Sequence, residues 1–301
     1  MSDNNKNHTV AVIGAGTMGN GIAHVFAQYG YPVTMIDVSP EALTRGMTTI
    51  TKNLERMVAR EKISATDMDS TLGRIRTTTD MESGVKDATI VIEAATENVD
   101  LKLKIFESLS RFCKPDAILA SNTSSISITK IAAVTNRPQQ VIGMHFMNPV
   151  PVMKLVEIIR GYSTSDHVTE VVTALAKSLD KTPVTVNDYP GFVANRILIP
   201  MINEAIIALW EGVAGVEEID NVMKLGMAHP MGPLQLADFI GLDVVLAITR
   251  VLQDGYGQPK YAPCPLLVNM VQAGKLGNKS GEGFYLYTPG SKEMVVSPSF
   301  V

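Results

Sequence analysis

The sequence predicts a two-domain protein in which a doubly wound, mostly parallel α/β domain precedes an all-helical domain. The first part of the chain alternates short β-branched runs with helical segments, a pattern typical of a parallel sheet covered by helices on both faces. From about residue 188 onward, apolar residues recur at helical spacing and strand signals nearly vanish. The length of 301 residues suits two domains. We therefore expect domains at residues 1–187 and 188–301.

The individual elements follow from local patterns. The first strand, 9–13, is a short apolar run that leads directly into glycines, as buried parallel strands do. Further strands are predicted at 32–38, 75–79, 89–94, 117–121, 141–146, 155–159 and 183–186. Helices are predicted at 17–29, 40–60 (extended to 69 as a helical hairpin), 101–112, 126–133 and 165–179. In the second domain, helices are predicted at 192–210, 216–225, 234–252 and 266–273.

Composition excludes several classes of protein. Hydrophobic residues make up 46% and charged residues 19%, an ordinary globular balance, and the net charge of −4 argues against a nucleic-acid partner. Cys113 and Cys264 lack CxxC spacing, so we expect reduced thiols and no metal site. The polar N-terminus lacks the features of a secretory or transit peptide, and no apolar run reaches the ~20 residues of a membrane span. We expect a cytoplasmic protein without a membrane segment.

A glycine-rich motif connects the first strand to the first helix. It consists of Gly14, Gly16, Thr17, Met18 and Gly19, with Ala15 between the first two glycines. In this context the glycines permit a tight turn, close approach to a pyrophosphate and helix–strand packing, which is the Rossmann-like arrangement. Asp37 lies at the end of the second strand, 18 residues beyond Gly19. A carboxylate there accepts hydrogen bonds from ribose hydroxyls and repels a 2′-phosphate, so we predict that the cofactor is NAD.

The segment 145–157 carries the strongest chemical signal. It reads as a strand, a proline-containing turn and a second strand, so the chain doubles back and brings Glu157 close to His145. A carboxylate inside an apolar strand needs a partner, and His145 is the nearest candidate. An imidazole held by a carboxylate can serve as a general acid or base. The sequence therefore predicts a hydroxyl–ketone oxidoreduction, in which His145 takes a proton while a nicotinamide takes a hydride.

Two other polar clusters follow predicted strands, where open α/β sheets bind their ligands. Glu97 and Asn98 follow the strand at 89–94, and five polar residues at 121–125 follow the strand at 117–121. We interpret Ser121 and Ser125 as members of an ordinary polar turn that caps the helix at 126–133. His24, His167 and His229 have no recognisable catalytic partner and are interpreted as structural.

Several motifs in fixed order resemble the L-3-hydroxyacyl-CoA dehydrogenase family. They are Ser-Asn-Thr-Ser-Ser (121–125), His-Phe-Met-Asn-Pro-Val-Pro (145–151), Lys-Leu-Val-Glu (154–157), Pro-Gly-Phe-Val-Ala-Asn-Arg (190–196) and Gly-Pro-Leu-Gln-Leu-Ala-Asp-Phe-Ile-Gly-Leu-Asp (232–243). The resemblance extends from about Val10 to Tyr287. It implies an NAD-dependent enzyme of fatty-acid metabolism that acts on a short-chain 3-hydroxyacyl-CoA. It leaves open whether the cell uses the reaction in β-oxidation, fermentation or aromatic breakdown.

The resemblance also implies roles for single residues. His145 is implied as the base, Glu157 as the group that orients it, Ser124 as a hydrogen-bond partner of the substrate oxygen, and Asn195 as a residue near the thioester. On the cofactor side it implies Asn148 at the nicotinamide, Glu97 and Lys102 near the ribose and pyrophosphate, and Lys279 as a late lysine that reaches the cofactor.

The CoA contacts depart from the family pattern. Some members use a serine and a lysine on the helical hairpin, and the matching positions here carry Asn53 and Arg60. Both side chains can bind CoA phosphates or ribose, and Arg56 and Lys62 are further candidates. A solvated charged helix is the alternative interpretation of this stretch.

Three alternative functions remain open at this point. A β-hydroxyacid dehydrogenase of the 6-phosphogluconate type needs a lysine on the helix between the domains, where this chain has Asn195 and Arg196. A short-chain dehydrogenase needs Tyr-x-x-x-Lys on a helix, and Tyr256 and Lys260 are separated by helix-breaking residues. A non-catalytic NAD-binding protein is the third alternative.

The family resemblance finally implies a homodimer through the helical domain. More than one face of the helix at 192–210 is apolar, which suggests burial against another subunit. The residues concerned are Met201, Ile202, Ile206, Ile207 and Trp210.

Overall fold

A computed structural model of the chain describes residues 8–288, 290 and 293–300. Most of the polar N-terminal segment, residues 1–7, lies outside the described residues, so the expectation placed on it stays a prediction. The chain divides into two compact units, Met1–Tyr189 and Pro190–Val301, and each is described by itself. The division falls two residues beyond position 187, where the change from mixed to helical pattern placed it.

The first unit is built on an eight-stranded sheet. Its strands are β1 (Val10–Ile13), β2 (Val33–Ile36), β3 (Ile75–Thr78), β4 (Ile90–Glu93), β5 (Ile118–Ser121), β6 (Val141–Phe146), β7 (Leu155–Arg160) and β8 (Thr182–Asn187). Their order is β3-β2-β1-β4-β5-β6-β7-β8. All neighbours are parallel except β6 and β7, which form an antiparallel pair. The predicted doubly wound, mostly parallel sheet is confirmed, and most strands are shorter than predicted by one to three residues.

Seven α-helices accompany this sheet in the part of the unit that the structure describes. They are α1 (Thr17–Gln28), α2 (Pro40–Ala59), α3 (Ala65–Gly73), α4 (Met81–Val85), α5 (Val99–Phe112), α6 (Ile128–Ala133) and α7 (Asp166–Ser178). The predicted hairpin extension is a separate helix, α3, because Glu61 turns with a positive φ of 56° and Ser64 starts a new helix with a capping box. Strand residues such as Val12, Ile92 and Met144 are fully buried in the core of this unit.

The second unit is helical, as predicted. Its helices are α8 (Ala194–Trp210), α9 (Val216–Asn221), α10 (Pro233–Ile240), α11 (Leu242–Tyr256) and α12 (Pro265–Gln272), with a π-helical turn at Val222–Gly226. The single helix predicted at 234–252 is divided in two at Gly241, whose φ of 100° is open to glycine and strained for other residues.

A small feature of the second unit is absent from the sequence prediction. Two-residue strands, β9 (Tyr285–Leu286) and β10 (Val295–Val296), form an antiparallel pair. The buried carboxylate of Asp238 anchors this segment by accepting hydrogen bonds from the backbone N–H groups of Phe284 and Tyr285. Across the described residues, no helix combines the length and apolar character that a membrane crossing requires.

Candidate active site

His145 and Glu157 form the centre of the candidate site. They are directly opposed residues of the antiparallel β6–β7 pair. Both are buried, and His145 Nδ1 lies 2.8 Å from Glu157 Oε2. The contact predicted from the proline-containing turn is confirmed. With a carboxylate on Nδ1, the neutral ring carries its proton on that nitrogen, and Nε2 is the nitrogen able to accept another proton.

Two residues that the sequence analysis did not select hold the turn beyond β6. Lys181, directly before β8, is buried and donates hydrogen bonds from Nζ to the carbonyls of Val150 (2.6 Å) and Met153 (2.8 Å). The side-chain oxygen of Asn122 accepts a 2.9 Å hydrogen bond from the N–H of Phe146, the residue after His145. The last residues of β6 and the turn after it are therefore fixed by two neighbouring segments.

Glu97 accepts several hydrogen bonds from the polar loop that follows β5. Its Oε1 accepts hydrogen bonds from Thr123 Oγ1 (2.5 Å), from the backbone N–H of Ser124 (3.0 Å) and from Ser125 Oγ (3.1 Å). Burial opposes ionisation of this carboxyl, but Lys102 and the hydroxyl donors outweigh it and leave the pKa of Glu97 below its usual value. Glu97 is therefore an anion that orients Ser124.

Lys102 is enclosed, with a side chain only 1% exposed. Its Nζ donates to Glu93 Oε1 at 2.6 Å and to the carbonyl of Ala95 at 3.3 Å, and lies 3.3 Å from Glu97 Oε2. An ammonium has three protons, and three oxygens surround this one. In this arrangement Lys102 is directed at protein groups, and its predicted contact with the cofactor stays a prediction.

The structure corrects the interpretation of Ser121 and Ser125. Helix α6 begins at Ile128, and its cap is Ser127, whose side chain accepts from the N–H of Lys130. Ser121 instead donates to the buried carboxylate of Glu93 at 2.7 Å, and Ser125 donates to Glu97. Both serines therefore belong to the polar network around Ser124, because the helix starts two residues later than predicted.

The loop between β1 and α1 has the geometry that a dinucleotide requires. A Cβ on Gly14 would lie 2.6 Å from the carbonyl oxygen of Ala94, and one on Gly19 would lie 1.8 Å from that of Gly14. In front of Gly16 the space is open, with nothing within 4 Å of such an atom. Within the described part of the chain no side chain caps the N-terminus of α1, so its N–H groups can donate hydrogen bonds to a phosphate.

Asp37 stands at the end of β2, beside this loop. Its Oδ2 accepts from the N–H of Ala15 at 2.8 Å, and its Oδ1 accepts from the N–H of Ser39 at 3.0 Å. The carboxylate is half-buried. Each oxygen keeps acceptor capacity for a ribose hydroxyl. The residues present therefore fit NAD. Thr17 and Met18 are the first two residues of α1, and their predicted contact with the cofactor stays a prediction.

A cavity of about 560 Å³ lies within the first unit, between α1, α2 and the turn after β6. Its wall includes Asn53, Arg56, Arg60 and Lys62, so the predicted CoA contacts share one cavity. Arg56 donates a hydrogen bond to the side-chain oxygen of Asn53. The cavity wall carries four cationic side chains, Arg56, Arg60, Lys62 and Lys154, and so forms a site for an anionic ligand.

His24 of α1 also lines this cavity, although solvent does not reach its side chain. Neither ring nitrogen finds a hydrogen-bond partner among the described residues. Burial, and secondarily the charge of Lys181, lowers the pKa of His24 to about 4. Its ring is therefore neutral at pH 7.

Asn148 lies in the first unit, where it is exposed in the turn after β6. The remaining two candidate residues, Asn195 and Lys279, belong to the second unit. Asn195 is the second residue of α8 and is half-buried. Lys279 sits in a short 3₁₀ turn, and its Nζ forms an ion pair with Asp243. In the same unit α11 ends at Tyr256, before Gly257 with a left-handed φ of 61°, so Tyr256 and Lys260 do not share a helix.

Sequence reasoning missed Glu93, Asn122 and Lys181. Glu93 carried the signal that identified Glu157, because it is an acidic residue at the end of an otherwise apolar strand, Ile-Val-Ile-Glu. Asn122 and Lys181 act through contacts with backbone groups far away in the sequence, which no local pattern indicates. No group of three or more histidine, cysteine or acidic residues able to hold a metal is found in the described ranges.

The fold and these residues define an NAD-binding oxidoreductase with a helical second domain. The family profile of the 3-hydroxyacyl-CoA dehydrogenase NAD-binding domain matches residues 9–189, and the profile of the C-terminal domain of the same family matches residues 191–287. The chain belongs to the 3-hydroxyacyl-CoA dehydrogenase family, a family of NAD-dependent enzymes.

Named relatives agree with this assignment. The chain is 57% identical over 278 residues to a probable 3-hydroxybutyryl-CoA dehydrogenase of Bacillus subtilis (strain 168), covering 92% of this chain and 96% of the relative. It is 52% identical to a 3-hydroxybutyryl-CoA dehydrogenase of Bradyrhizobium diazoefficiens, covering 92% and 94%. The crystal structure of (S)-3-hydroxybutyryl-CoA dehydrogenase from Ralstonia eutropha matches with a TM-score of 0.91 and 53% identity, covering 93% of this chain and 99% of that one.

Proposed function

We propose that the protein interconverts (S)-3-hydroxybutyryl-CoA and acetoacetyl-CoA with NAD, using His145 and Glu157 as the acid/base pair. The buried 2.8 Å contact between these two side chains carries the proposal. The names of the relatives support the substrate, since members at 50–57% identity are 3-hydroxybutyryl-CoA dehydrogenases. A β-hydroxyacid or short-chain dehydrogenase activity has no comparable support.

In the oxidation, His145 Nε2 removes the proton of the 3-hydroxyl group as the C3–O bond becomes a carbonyl. NAD, when bound, accepts the hydride released from C3. The ring then carries a proton on both nitrogens, and Glu157 stabilises this cation across the contact to Nδ1. In the reduction His145 returns the proton to the oxygen. Ser124 and Asn195 bind the substrate in this proposal, Ser124 through the reacting oxygen and Asn195 near the thioester.

Recognition of the cofactor and of CoA completes the proposal. The glycine loop and Asp37 bind the pyrophosphate and ribose, and Glu97, Lys102, Asn148 and Lys279 act at the cofactor end of the site. Asn53 and Arg60 bind the nucleotide part of CoA, and their shared cavity supports this assignment. The four cationic side chains of the cavity match the negative charge of the phosphates of that nucleotide.

We also propose that the protein is a homodimer through its helical unit. Ile202 and Ile206 of α8 are buried in their own unit, so they do not support the dimer. Support comes from large apolar side chains of the same unit that remain exposed, including Leu225 (84%), Phe239 (60%) and Trp210 (56%). A cytoplasmic location and a role in β-oxidation belong to the same proposal. Cys113 and Cys264 as free, buried thiols are in keeping with a reducing compartment.

One assay tests the central proposal. Purified protein is mixed with acetoacetyl-CoA and either NADH or NADPH, and the loss of nicotinamide absorbance is followed. The same assay is repeated with 3-oxoacyl-CoA substrates of increasing chain length, from C4 to C16. We expect turnover with NADH, highest with the shortest substrate. Absence of turnover with every chain length would contradict the proposed function.

A further inference from the structure

Glu93 is the last residue of β4, and solvent does not reach its carboxylate. We propose that Glu93 is a positioning residue for the dehydrogenase reaction, which holds Ser124 in place through Lys102 and Glu97. The inference rests on the proposed function, because Ser124 there binds the reacting oxygen of the substrate.

Both oxygens of Glu93 are engaged. Oε1 accepts from Lys102 Nζ at 2.6 Å and from the N–H of Ala95 at 2.7 Å, while Oε2 accepts from Ser121 Oγ at 2.7 Å. A buried carboxylate is tolerated only with such partners. Because three donors from three segments meet at one rigid strand end, Glu93 sets the position of each.

Lys102 links the position of Glu97 to that of Glu93. Its ammonium group sits between the two carboxylates, 2.6 Å from Glu93 Oε1 and 3.3 Å from Glu97 Oε2. Glu97 is more exposed than Glu93, with side chains 39% and 0% exposed, and its Oε1 accepts the hydrogen bonds of the loop that carries Ser124. The ion pair with Lys102 holds the other oxygen, Oε2, and so connects this loop to Glu93.

Two paths lead from Glu93 to Ser124. In the first, Glu97 Oε1 accepts the backbone N–H of Ser124 at 3.0 Å and lies 3.4 Å from its hydroxyl. In the second, Ser121 Oγ, bound to Glu93, accepts the N–H of Thr123 at 3.2 Å. The segment that carries Ser124 is thus attached to the same carboxylate from two sides.

The charge balance makes the proposal testable by an isosteric change. Two carboxylates and one ammonium leave the network with a net charge of −1. Glu93→Gln keeps the shape: the amide oxygen can accept from Lys102 and Ala95, and the amide nitrogen can donate to Ser121. Lys102 then keeps Glu97 as its single carboxylate partner, so Glu97 moves toward it and the geometry at Ser124 changes.

The experiment compares steady-state kinetics of wild type, Glu93→Gln, Ser124→Ala and the double variant, with acetoacetyl-CoA and NADH. The matched control is Glu107→Gln, an exposed glutamate on α5. We expect Glu93→Gln to lower kcat/KM for acetoacetyl-CoA by about tenfold, with the KM for NADH changed less than about twofold. In the Ser124→Ala background the same change should have almost no further effect, because the residue through which it acts is gone.

A purely structural role would give a different result. Glu93→Gln would then lower the active fraction and reduce kcat equally in both backgrounds, with both KM values unchanged, and that result overturns the proposal. If the variant does not fold, Ser121→Ala replaces it in the same cycle, since it removes one path and keeps the charge; additive effects there also overturn it. Wild-type protein without acetoacetyl-CoA turnover overturns the proposed function itself, before any variant is compared.

Discussion

His145 and Glu157 occupy opposed positions of the antiparallel β6–β7 pair, and their buried side chains meet with His145 Nδ1 2.8 Å from Glu157 Oε2. Their separation is set by strand register, because a slip of one residue would turn one of the two side chains to the other face. The proposed acid/base pair is therefore assembled by the sheet itself and needs no loop movement. Prediction of this contact from sequence was possible since both partners lie within one hairpin.

The first prediction concerns this pair. His145→Gln should lower kcat by at least about 10²-fold, because the general base is lost, with little change in NADH binding. Glu157→Gln should also lower kcat, and the double variant should fall far short of the product of the two effects, since the residues act as one unit. Stopped-flow and steady-state rates with acetoacetyl-CoA measure this. His167→Gln and Glu170→Gln, both exposed on α7, are the matched controls. A His145→Gln enzyme with near-normal kcat would require another base.

The second prediction concerns Asp37. Asp37→Ala should relax the preference for NADH over NADPH by about tenfold or more, because a 2′-phosphate no longer meets a carboxylate, and 1.4 kcal/mol corresponds to one decade. It should also weaken NADH binding, since the hydrogen bond to the N–H of Ala15 in the glycine loop is lost. The ratio of kcat/KM for the two cofactors is the readout, with exposed Asp116→Ala as control. A wild type that already prefers NADPH would contradict the role.

The third prediction separates CoA recognition from chemistry. Arg60→Ala should raise the KM for acetoacetyl-CoA by about tenfold, the usual scale of a lost charged contact, and leave kcat almost unchanged. With acetoacetyl-pantetheine, which lacks the nucleotide, the same variant should behave like wild type. Arg45→Ala is the control, because Arg45 is exposed on α2, the helix that Arg60 directly follows, and lies outside the cavity wall. Equal effects of Arg60→Ala on both substrates would place the arginine elsewhere in the mechanism.

The fourth prediction concerns the dimer. Leu225→Glu combined with Phe239→Glu should shift the mass measured by light scattering at micromolar concentration from dimer to monomer, since charges in an apolar interface are not compensated. Tyr162→Glu in the first unit, where Tyr162 is 93% exposed, should leave the mass unchanged. A wild type that is monomeric at this concentration would refute the dimer outright.

Local sequence patterns predicted most of the helices and strands, and the predictions that were wrong have physical causes. The apolar spacing continues across Gly241, so periodicity alone joined α10 and α11, whereas the positive φ of that glycine separates them. The strands β9 and β10 contain two residues each, too few for an alternating pattern, and depend on the buried Asp238 for their anchorage. These features depend on tertiary contacts that neighbouring residues in the sequence do not encode.

The candidate site likewise contains contacts that local sequence patterns predict and contacts that they do not. His145 and Glu157 were predictable because they share one hairpin, and the glycine loop because its geometry has a fixed spacing. Glu93 and Lys102 are nine residues apart, yet their contact depends on how α5 packs beside β4. His24 looked unremarkable on a helix, since nothing in the local sequence indicates that its nitrogens are buried and lack hydrogen-bond partners among the residues that the structure describes.

The last prediction concerns His24 and pH. Burial lowers the pKa of His24 to about 4 in the folded protein, against 6.5 for an unburied histidine. Above pH 6.5 the ring is neutral in both the folded and unfolded states, so this histidine adds no pH dependence there. Between pH 6.5 and 4 the unfolded state binds a proton that the folded state does not. As the pH is lowered through this range, the contribution of His24 to the free energy of unfolding therefore falls by about 1.4 kcal/mol per pH unit.

Replacing His24 with leucine should remove that slope. At neutral pH it should leave stability unchanged or raise it, because it removes two buried nitrogens that have no hydrogen-bond partner within the described ranges. The measurement is urea unfolding of wild type and His24→Leu at several pH values from 7.5 to 4.5, with His167→Leu as an exposed control. Asp238 titrates in the opposite sense, since burial raises its pKa to about 6 and stability from that group falls as pH rises from 3.8 through 6. The wild-type curve alone therefore does not report His24, whereas the difference between variants does. A difference that stays constant from pH 7.5 to 4.5 would mean that His24 is not held neutral by burial.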